Sequence, residues 1–261
     1  MTDELSNFSR LLDIMSRLRA DDGCPWDREQ SHDTLKQHLI EEAYELIDAI
    51  DDGDDEFIKD ELGDVLLQVV FHCQIASEEN RFDIDDVSAV ISDKLIRRHP
   101  HVFGDAKLDS SGQVIKQWDE IKKTETAGAS RTSILDGVPK HLPMLGQALK
   151  IQKKADKVGF DWSDEKDVVD KIDEELAELK AELVQNDQQA IEDEMGDLLF
   201  AVVNLCRFRD VDPEDALRKT IKKFKRRFGH VEASVTKSDK DWKDYNLEEL
   251  DAYWNEAKKS E

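Results

Sequence analysis

Two acidic motifs in this chain have the residue types and spacing for metal chemistry. Glu41, Glu42 and Glu45 are followed by Glu61 and Asp64, and Glu174, Glu175 and Glu178 by Glu194 and Asp197. Each set reads EExxE and then ExxD. Carboxylates offer hard oxygen donors, and several gathered in one place repel one another. A bound cation relieves that repulsion. Oxygen donors without Cys or a matched His select Mg²⁺, with Mn²⁺ as a substitute, over Zn²⁺. The plain alternative is a solvated helix face, the usual role of Glu runs in a chain of net charge −24. A di-iron bundle requires Glu-x-x-His on its helices. Here the residues three after Glu42 and Glu61 are Glu45 and Asp64.

Helices must position these groups. Leu39, Ala43, Leu46, Ile47 and Ile50 follow helical spacing, as do Ile58, Leu62, Val65, Leu66, Val69 and Val70. Asp51-Asp52-Gly53-Asp54-Asp55 breaks the pattern between them, which predicts an antiparallel helical hairpin. At about 100° per residue, Glu42 and Glu45 lie to one side of the first stripe. Glu61 and Asp64 lie on the same rotational side of the second. Facing antiparallel helices bring these four together along one edge, with Glu41 nearby. The second set repeats the arrangement, with stripes Ile172, Leu176, Leu179, Leu183 and Ile191, Met195, Leu198, Leu199, Val202, Val203.

The repetition extends along the chain. Residues 40–46 match 173–179 and residues 60–70 match 193–203, all at one separation of 133 residues. KLIRRHPHV at 94–102 then matches KFKRRFGHV at 223–231, and WDEIKK at 118–123 matches WNEAKK at 254–259. Duplication accounts for the shared register of acidic and non-acidic segments alike. We place one unit at 1–125 and the other at 136–261, joined by a small, polar linker at 124–135. Asp212-Pro213-Glu214 marks a helix start, with a capping Asp, Pro at the first position and an acid near the dipole. No alternating strand is visible. The fold class expected is all-α, two tandem repeats of a helical unit.

Basic residues narrow the ligand. Lys223, Arg226, Arg227 and His230 recur at i, i+3, i+4, i+7, one helical face, and Lys94, Arg97, Arg98 and His101 repeat it. In so acidic a chain a duplicated basic face fits phosphate, with bidentate Arg contacts; salt bridging to the abundant acids is the alternative. Trp254 and Lys258, like Trp118 and Lys122, are one helical turn apart. Such a pair can stack a base and hold a phosphate, although a Trp at this spacing also serves as core. Lys171 stands one turn before Glu175, where the first copy has His38. A permanent cation beside the carboxylates favours the second copy as the working site.

Composition removes other classes. The 261 residues include 39% hydrophobic and 38% charged, with ten Phe and five Trp but only five Pro and eleven Gly. That mixture supports packed helices over a turn-rich barrel. The isoelectric point near 4.6 opposes non-specific binding to nucleic acid or anionic lipid. No apolar run reaches the length of a membrane span, and the first residues carry no secretory pattern. Cys24, Cys73 and Cys206 are scattered and odd in number, which fits a reducing, cytoplasmic setting better than a disulfide framework.

EExxE followed by ExxD on the next helix, twice in one chain, resembles the MazG-type nucleoside triphosphate pyrophosphohydrolases of the all-α NTP pyrophosphatase superfamily. The resemblance extends to GCPWDREQ at 23–30, RRHPHVF at 97–103 and VGFDW at 158–162. It implies helical units of four-helix-bundle type completed by homodimerisation. It also implies Mg²⁺-dependent cleavage of NTPs between the α and β phosphates, giving NMP and pyrophosphate, with the C-terminal unit catalytic. Carried over by position, Glu174, Glu175, Glu178, Glu194 and Asp197 match the magnesium motif. Lys171, Lys223, Arg227 and Trp254 match nucleotide-contacting positions, with Arg226 and Lys258 close by and Glu192 and Asp193 bordering the nucleotide. Glu41, Glu42, Glu45, Glu61 and Asp64 keep the first motif intact and make it a second possible site.

The expected mechanism has Glu175 or Glu178 orienting or deprotonating water for in-line attack at phosphorus. Metal and Lys/Arg charges stabilise the pyrophosphate leaving group. Stacking on Trp254 gives broad base preference. A dUTP or phosphoribosyl-ATP pyrophosphohydrolase would share the acidic motifs. An acidic helical interaction module would share the helices without the reaction.

Overall fold

A computed structural model describes residues 6–124, 133–238 and 240–260. The chain divides into two compact units, Met1–Thr126 and Ala127–Glu261. Among the described residues every regular element is helical. The first unit holds α1 (Asn7–Arg19), α2 (Pro25–Glu29), α3 (Leu35–Asp52), α4 (Asp55–Glu78), α5 (Ile84–Arg98), α6 (Pro100–Phe103) and α7 (Ser111–Thr124). The second holds α8 (Met144–Asp156), α9 (Glu165–Gln185), α10 (Gln188–Phe208), α11 (Pro213–Thr236) and α12 (Leu247–Lys259), with a 3-10 turn at Trp242–Asp244 before the last helix. No helix among them is long and apolar enough to cross a membrane.

Each unit is built on one helical hairpin, and local chemistry sets both turns. α3 ends at Gly53, whose φ of 70° is the left-handed conformation that glycine adopts without strain. Asp54 then caps α4 by accepting from the backbone N–H groups of Glu56 and Phe57. In the second unit Asn186 takes the left-handed place with φ 58°. Asp187 accepts from Gln189 and Ala190 to start α10. The expected start at Asp212 is realised: its side chain accepts from the N–H of Asp215, and Pro213 opens α11. α8 packs on α10 and on α11, and α11 packs on α12; in the first unit α1 packs on α4.

The first unit closes around Met15, Leu35, Val70, Phe71 and Ile75, with Leu11, Leu12 and Leu67 against them. Each such side chain contributes about 1.5–3 kcal/mol on burial. Arg19 caps this cluster, with its guanidinium over the Phe71 ring at 5.5 Å and its charge paired to Glu78 at 2.7 Å. In the second unit Val168 and Val203 stand at the positions of Leu35 and Val70 and are likewise buried.

Two expectations change. Much of each apolar stripe is exposed within one chain: Leu39, Ile47, Ile50, Leu62, Leu66 and Val69 on the first hairpin, and Leu183, Met195, Leu199 and Val202 on the second. Of the first hairpin's stripes Val70 is buried, and other buried positions, among them Leu35, Ala49, Glu61 and Gln68, lie outside them. The helical period was legible, but the hairpin has a second apolar face that α1 or α8 covers. The basic face Lys94, Arg97, Arg98, His101 is also broken. α5 ends at Arg98, and His101 belongs to the separate α6, because Pro100 lacks an N–H and holds His99 out of the helical region at φ −122°, ψ 55°. The segment before α8 is held to it by Lys154, whose Nζ donates to the carbonyls of Ile134 and Asp136 at 3.2 and 3.0 Å. The linker at 125–132 and the Lys122 side chain lie outside the described residues.

Candidate active site

α9 and α10 bring Glu175, Glu194 and Asp197 together. One carboxylate oxygen of each lies within 4.8 Å of the others. Glu175 is buried, at 5% exposure, and Asp197 faces solvent. Oε2 of Glu194 is buried with no hydrogen-bond partner. Burial, and then the charges of Glu178, Glu175, Asp197 and Glu182, push the Glu194 carboxyl above its usual range. Glu178 therefore belongs to the same electrostatic group.

Lys171 closes one flank. Its Nζ stands 2.8 Å from a carboxylate oxygen of Glu174 and 2.8 Å from one of Glu175. Hydrogen bonds to Glu174 and then Glu175 push the ammonium further up from its ordinary value, so it keeps its charge. Glu174 is thus engaged by Lys171 and stands beside the three-carboxylate group.

The first unit shows a related but unequal arrangement. Glu42, Glu45 and Glu61 approach within 4.8 Å, and Glu61 is 6% exposed with Oε2 lacking a partner. Burial and then Glu45, Asp64, Asp60 and Glu42 push the Glu61 carboxyl up. Burial and then Asp64, Glu45 and Glu41 do the same to Glu42. In place of Lys171, His38 reaches Glu41 at 3.6 Å. Of the four carboxylates expected to converge in each copy, three meet: Glu42, Glu45 and Glu61 without Asp64 in the first, and Glu175, Glu194 and Asp197 without Glu178 in the second.

Both donor sets suit a hard divalent cation. They are all oxygen, and each includes a buried carboxylate oxygen that no protein donor satisfies. Leaving such an oxygen unpaired is costly, and a cation removes the cost.

The basic and aromatic residues lie on α11 and α12. The Arg227 guanidinium is 5.6 Å from the Trp254 ring centroid, and Phe224 packs against that ring at 5.0 Å. His230 lies 3.7 Å from Glu256. Lys223 and Arg226 share α11 with Arg227, and Lys258 follows Trp254 by one turn of α12. Glu192 and Asp193 are exposed on α10, where Gln189 donates to Asp193 at 3.2 Å. The structure joins Lys171 to the carboxylates, and Arg227 to Trp254. None of Lys223, Arg226, Arg227, Trp254 and Lys258 lines the space beside Glu175 and Asp197. In the first unit Trp118 is half-buried, its Nε1 lacks a partner and its ring meets His99 at 5.1 Å.

That space is a cavity of about 440 Å³ in the second unit, with Lys171, Glu175 and Asp197 on its wall. Ile151, Gln152, Trp162, Phe200 and Asn204 also line it. Sequence reasoning did not find it. One signal was available: at the separation of 133 residues, Asn204 takes the place of Phe71.

Comparison with known proteins agrees with this geometry. The model for the MazG nucleotide pyrophosphohydrolase domain matches residues 30–103 and again 164–232. The chain is 50% identical over 251 residues to the nucleoside triphosphate pyrophosphohydrolase/pyrophosphatase MazG of Thermotoga maritima, covering 96% of this chain and 95% of the relative. It is 46% identical over 260 residues to the nucleoside triphosphate pyrophosphohydrolase of Escherichia coli K12, covering 98% and 99%. Each match of the domain falls within one of the two units, and the chain belongs to the MazG nucleotide pyrophosphohydrolase family.

Proposed function

We propose that the protein is a nucleoside triphosphate pyrophosphohydrolase. It cleaves NTPs and dNTPs of every base between the α and β phosphates, yielding NMP and pyrophosphate, and it works in the cytoplasm as a homodimer. The observation that carries this reading is the convergence of Glu175, Glu194 and Asp197 with Lys171, three of which, Lys171, Glu175 and Asp197, line a cavity. The names of relatives matching nearly full length support the same reaction.

Glu175, Glu178, Glu194 and Asp197, with Glu174 at the margin, hold Mg²⁺ in this reading, and Mn²⁺ can replace it. The bound cation supplies Lewis-acid stabilisation of charge on the triphosphate. Glu175 or Glu178 orients a water and takes its proton during in-line attack. Lys171 holds the Glu174 and Glu175 carboxylates in place and adds a fixed positive charge. Lys223, Arg226, Arg227 and Lys258 donate N–H groups to phosphate oxygens, where bidentate Arg contacts are strong, and Trp254 packs beside them. Glu192 and Asp193 border the nucleotide. The first unit, with His38 at the place of Lys171, mainly serves to build the dimer, to which both units bring exposed apolar faces.

The test is pyrophosphate release from the eight common NTPs and dNTPs and from dUTP, with Mg²⁺ and with EDTA. The reading requires release that depends on the metal and spans several bases. An acidic interaction module would release none, and a dUTP-specific enzyme would act on one nucleotide alone.

A further inference from the structure

Both units bury an arginine where the hairpin meets the helix packed on it, and they do so with opposite polarity. In the first, Arg19 is the last residue of α1. It pairs with Glu78, the last residue of α4, through Nε at 2.9 Å and Nη2 at 2.7 Å. In the second, the arginine comes from the hairpin: Arg207 is near the end of α10, and Asp156, the last residue of α8, faces it at 3.6 Å. The two arginine side chains are 8% and 9% exposed. A guanidinium so deeply buried needs partners for its N–H groups.

Those partners differ in kind. Arg19 Nη1 donates to the backbone carbonyls of Asp27 and Gln30, which fastens the chain around α2 by its main chain. Arg207 reaches side chains instead. Its Nη2 donates to the Asp161 carboxylate, and its Nε donates to Oδ1 of Asn204 at 2.9 Å. The Phe208 ring covers the guanidinium, with its centroid 4.6 Å away. Asp161 and Asn204 both line the 440 Å³ cavity, and so do Phe160 and Trp162, the chain neighbours of Asp161. Asp161 lies between two anchored points. Before it, the Phe160 N–H donates to the Ala155 carbonyl at 3.1 Å; after it, Asp164 caps α9 by accepting from the Lys166 N–H. Trp162 is 45% exposed and Phe160 82%, so packing leaves these rings loosely held. The ion pair at Asp161 supplies the restraint between the two anchors.

We propose that Arg207 is a positioning residue: through Asp161 it holds the loop at 157–164 so that Trp162 meets the substrate in the cavity shared with Lys171, Glu175 and Asp197. The inference rests on the pyrophosphohydrolase reading. Arg207 addresses separate groups through Nε and Nη2, which an ammonium does not reproduce. A wall contact of this kind is made in the ground state and the transition state alike, so its loss raises KM and spares kcat. The Arg19 clamp fastens backbone around a closed core and has no such effect.

Steady-state pyrophosphate release from ATP with Mg²⁺ tests this in the full chain. Wild type is compared with Arg207→Met, Arg19→Met, Trp162→Ala and the double variant Arg207→Met, Trp162→Ala. Both arginine variants should melt below wild type, because each loses a buried cation and its pairings. Only Arg207→Met should raise KM, by about tenfold, with kcat kept within about twofold. Trp162→Ala should raise KM similarly, and the double variant should be no worse than the weaker of the two single variants, as for residues acting in series. An unchanged KM in folded Arg207→Met overturns the proposal. So does an equal rise in Arg19→Met, or multiplication of the two KM effects in the double variant. If either arginine variant does not fold, Asp161→Asn and Glu78→Gln take their places and decide by the same criterion. Wild type that releases no pyrophosphate from any NTP would refute the catalytic reading itself, whereas release with a KM indifferent to Arg207 refutes the clamp alone.

Discussion

Lys171 and Glu175 form a pair that the first unit does not reproduce. The ammonium is 2.8 Å from a carboxylate that is almost wholly buried, whereas His38, the corresponding residue, reaches only the exposed Glu41 at 3.6 Å. A charge-assisted contact of this kind contributes more than a neutral one, although a partly exposed Lys is screened by solvent. Replacing Lys171 by His should raise KM for NTPs or lower kcat by about tenfold in all. Steady-state kinetics with unchanged helical circular dichroism checks it.

The same contrast divides labour between the units. With a closed core around Phe71 and no lysine at position 38, the first unit should add little to turnover. The double variant Glu42→Gln, Asp64→Asn should keep more than about half of wild-type pyrophosphate release, since an enzyme site silenced this way loses on the order of a hundredfold or more. A large loss would place catalysis in the first unit as well.

Glu194 gives a pH signature. Burial and neighbouring carboxylates raise its folded pKa, so the folded chain holds this proton to a higher pH than the unfolded chain does. Its contribution to stability is therefore fully present below the unfolded value and is lost as pH rises through the folded value. Without metal at about pH 7.5, Glu194→Gln should melt above wild type, and the difference should shrink toward about pH 4. Mg²⁺ should raise the melting temperature of wild type by more than that of the variant, which keeps the first unit's carboxylate set. Scanning calorimetry at both pH values, with and without metal, reads all of this.

The exposed apolar stripe of α10 calls for a covering surface. Leu199 is 59% exposed, with Met195 and Val202 beside it on the same face. Contiguous apolar patches of this kind mark interaction sites, and a second copy supplies a matching one by symmetry. Light scattering should give twice the chain mass, and Leu199→Glu should lower that mass or weaken association by about a hundredfold.

Much of this was written in residue spacing. The separation of 133 residues fixed the correspondence of the two acidic motifs, and 100° steps placed Glu42, Glu45 and Glu61 on one edge, as Glu175, Glu194 and Asp197 are in the second unit. Gly53 and Asp54 announced a turn through backbone chemistry alone. Periodicity does not say which of two apolar faces is covered within the chain: Leu39 and Ile50 keep the helical period of a stripe although both are exposed. Nor does a cavity have a period. The one at Asn204 arises from a residue that fails to fill space, and only its comparison with Phe71 reveals it. Pro100 was readable as a helix break, and the match of RRHPH to RRFGH hid it.

The most direct test measures Mg²⁺-dependent pyrophosphate release by wild type and by Glu175→Gln and Asp197→Asn. The account predicts release by wild type that EDTA abolishes, a loss of about a hundredfold or more in each variant, and helical circular dichroism unchanged in both. Wild-type release in either folded variant would contradict it.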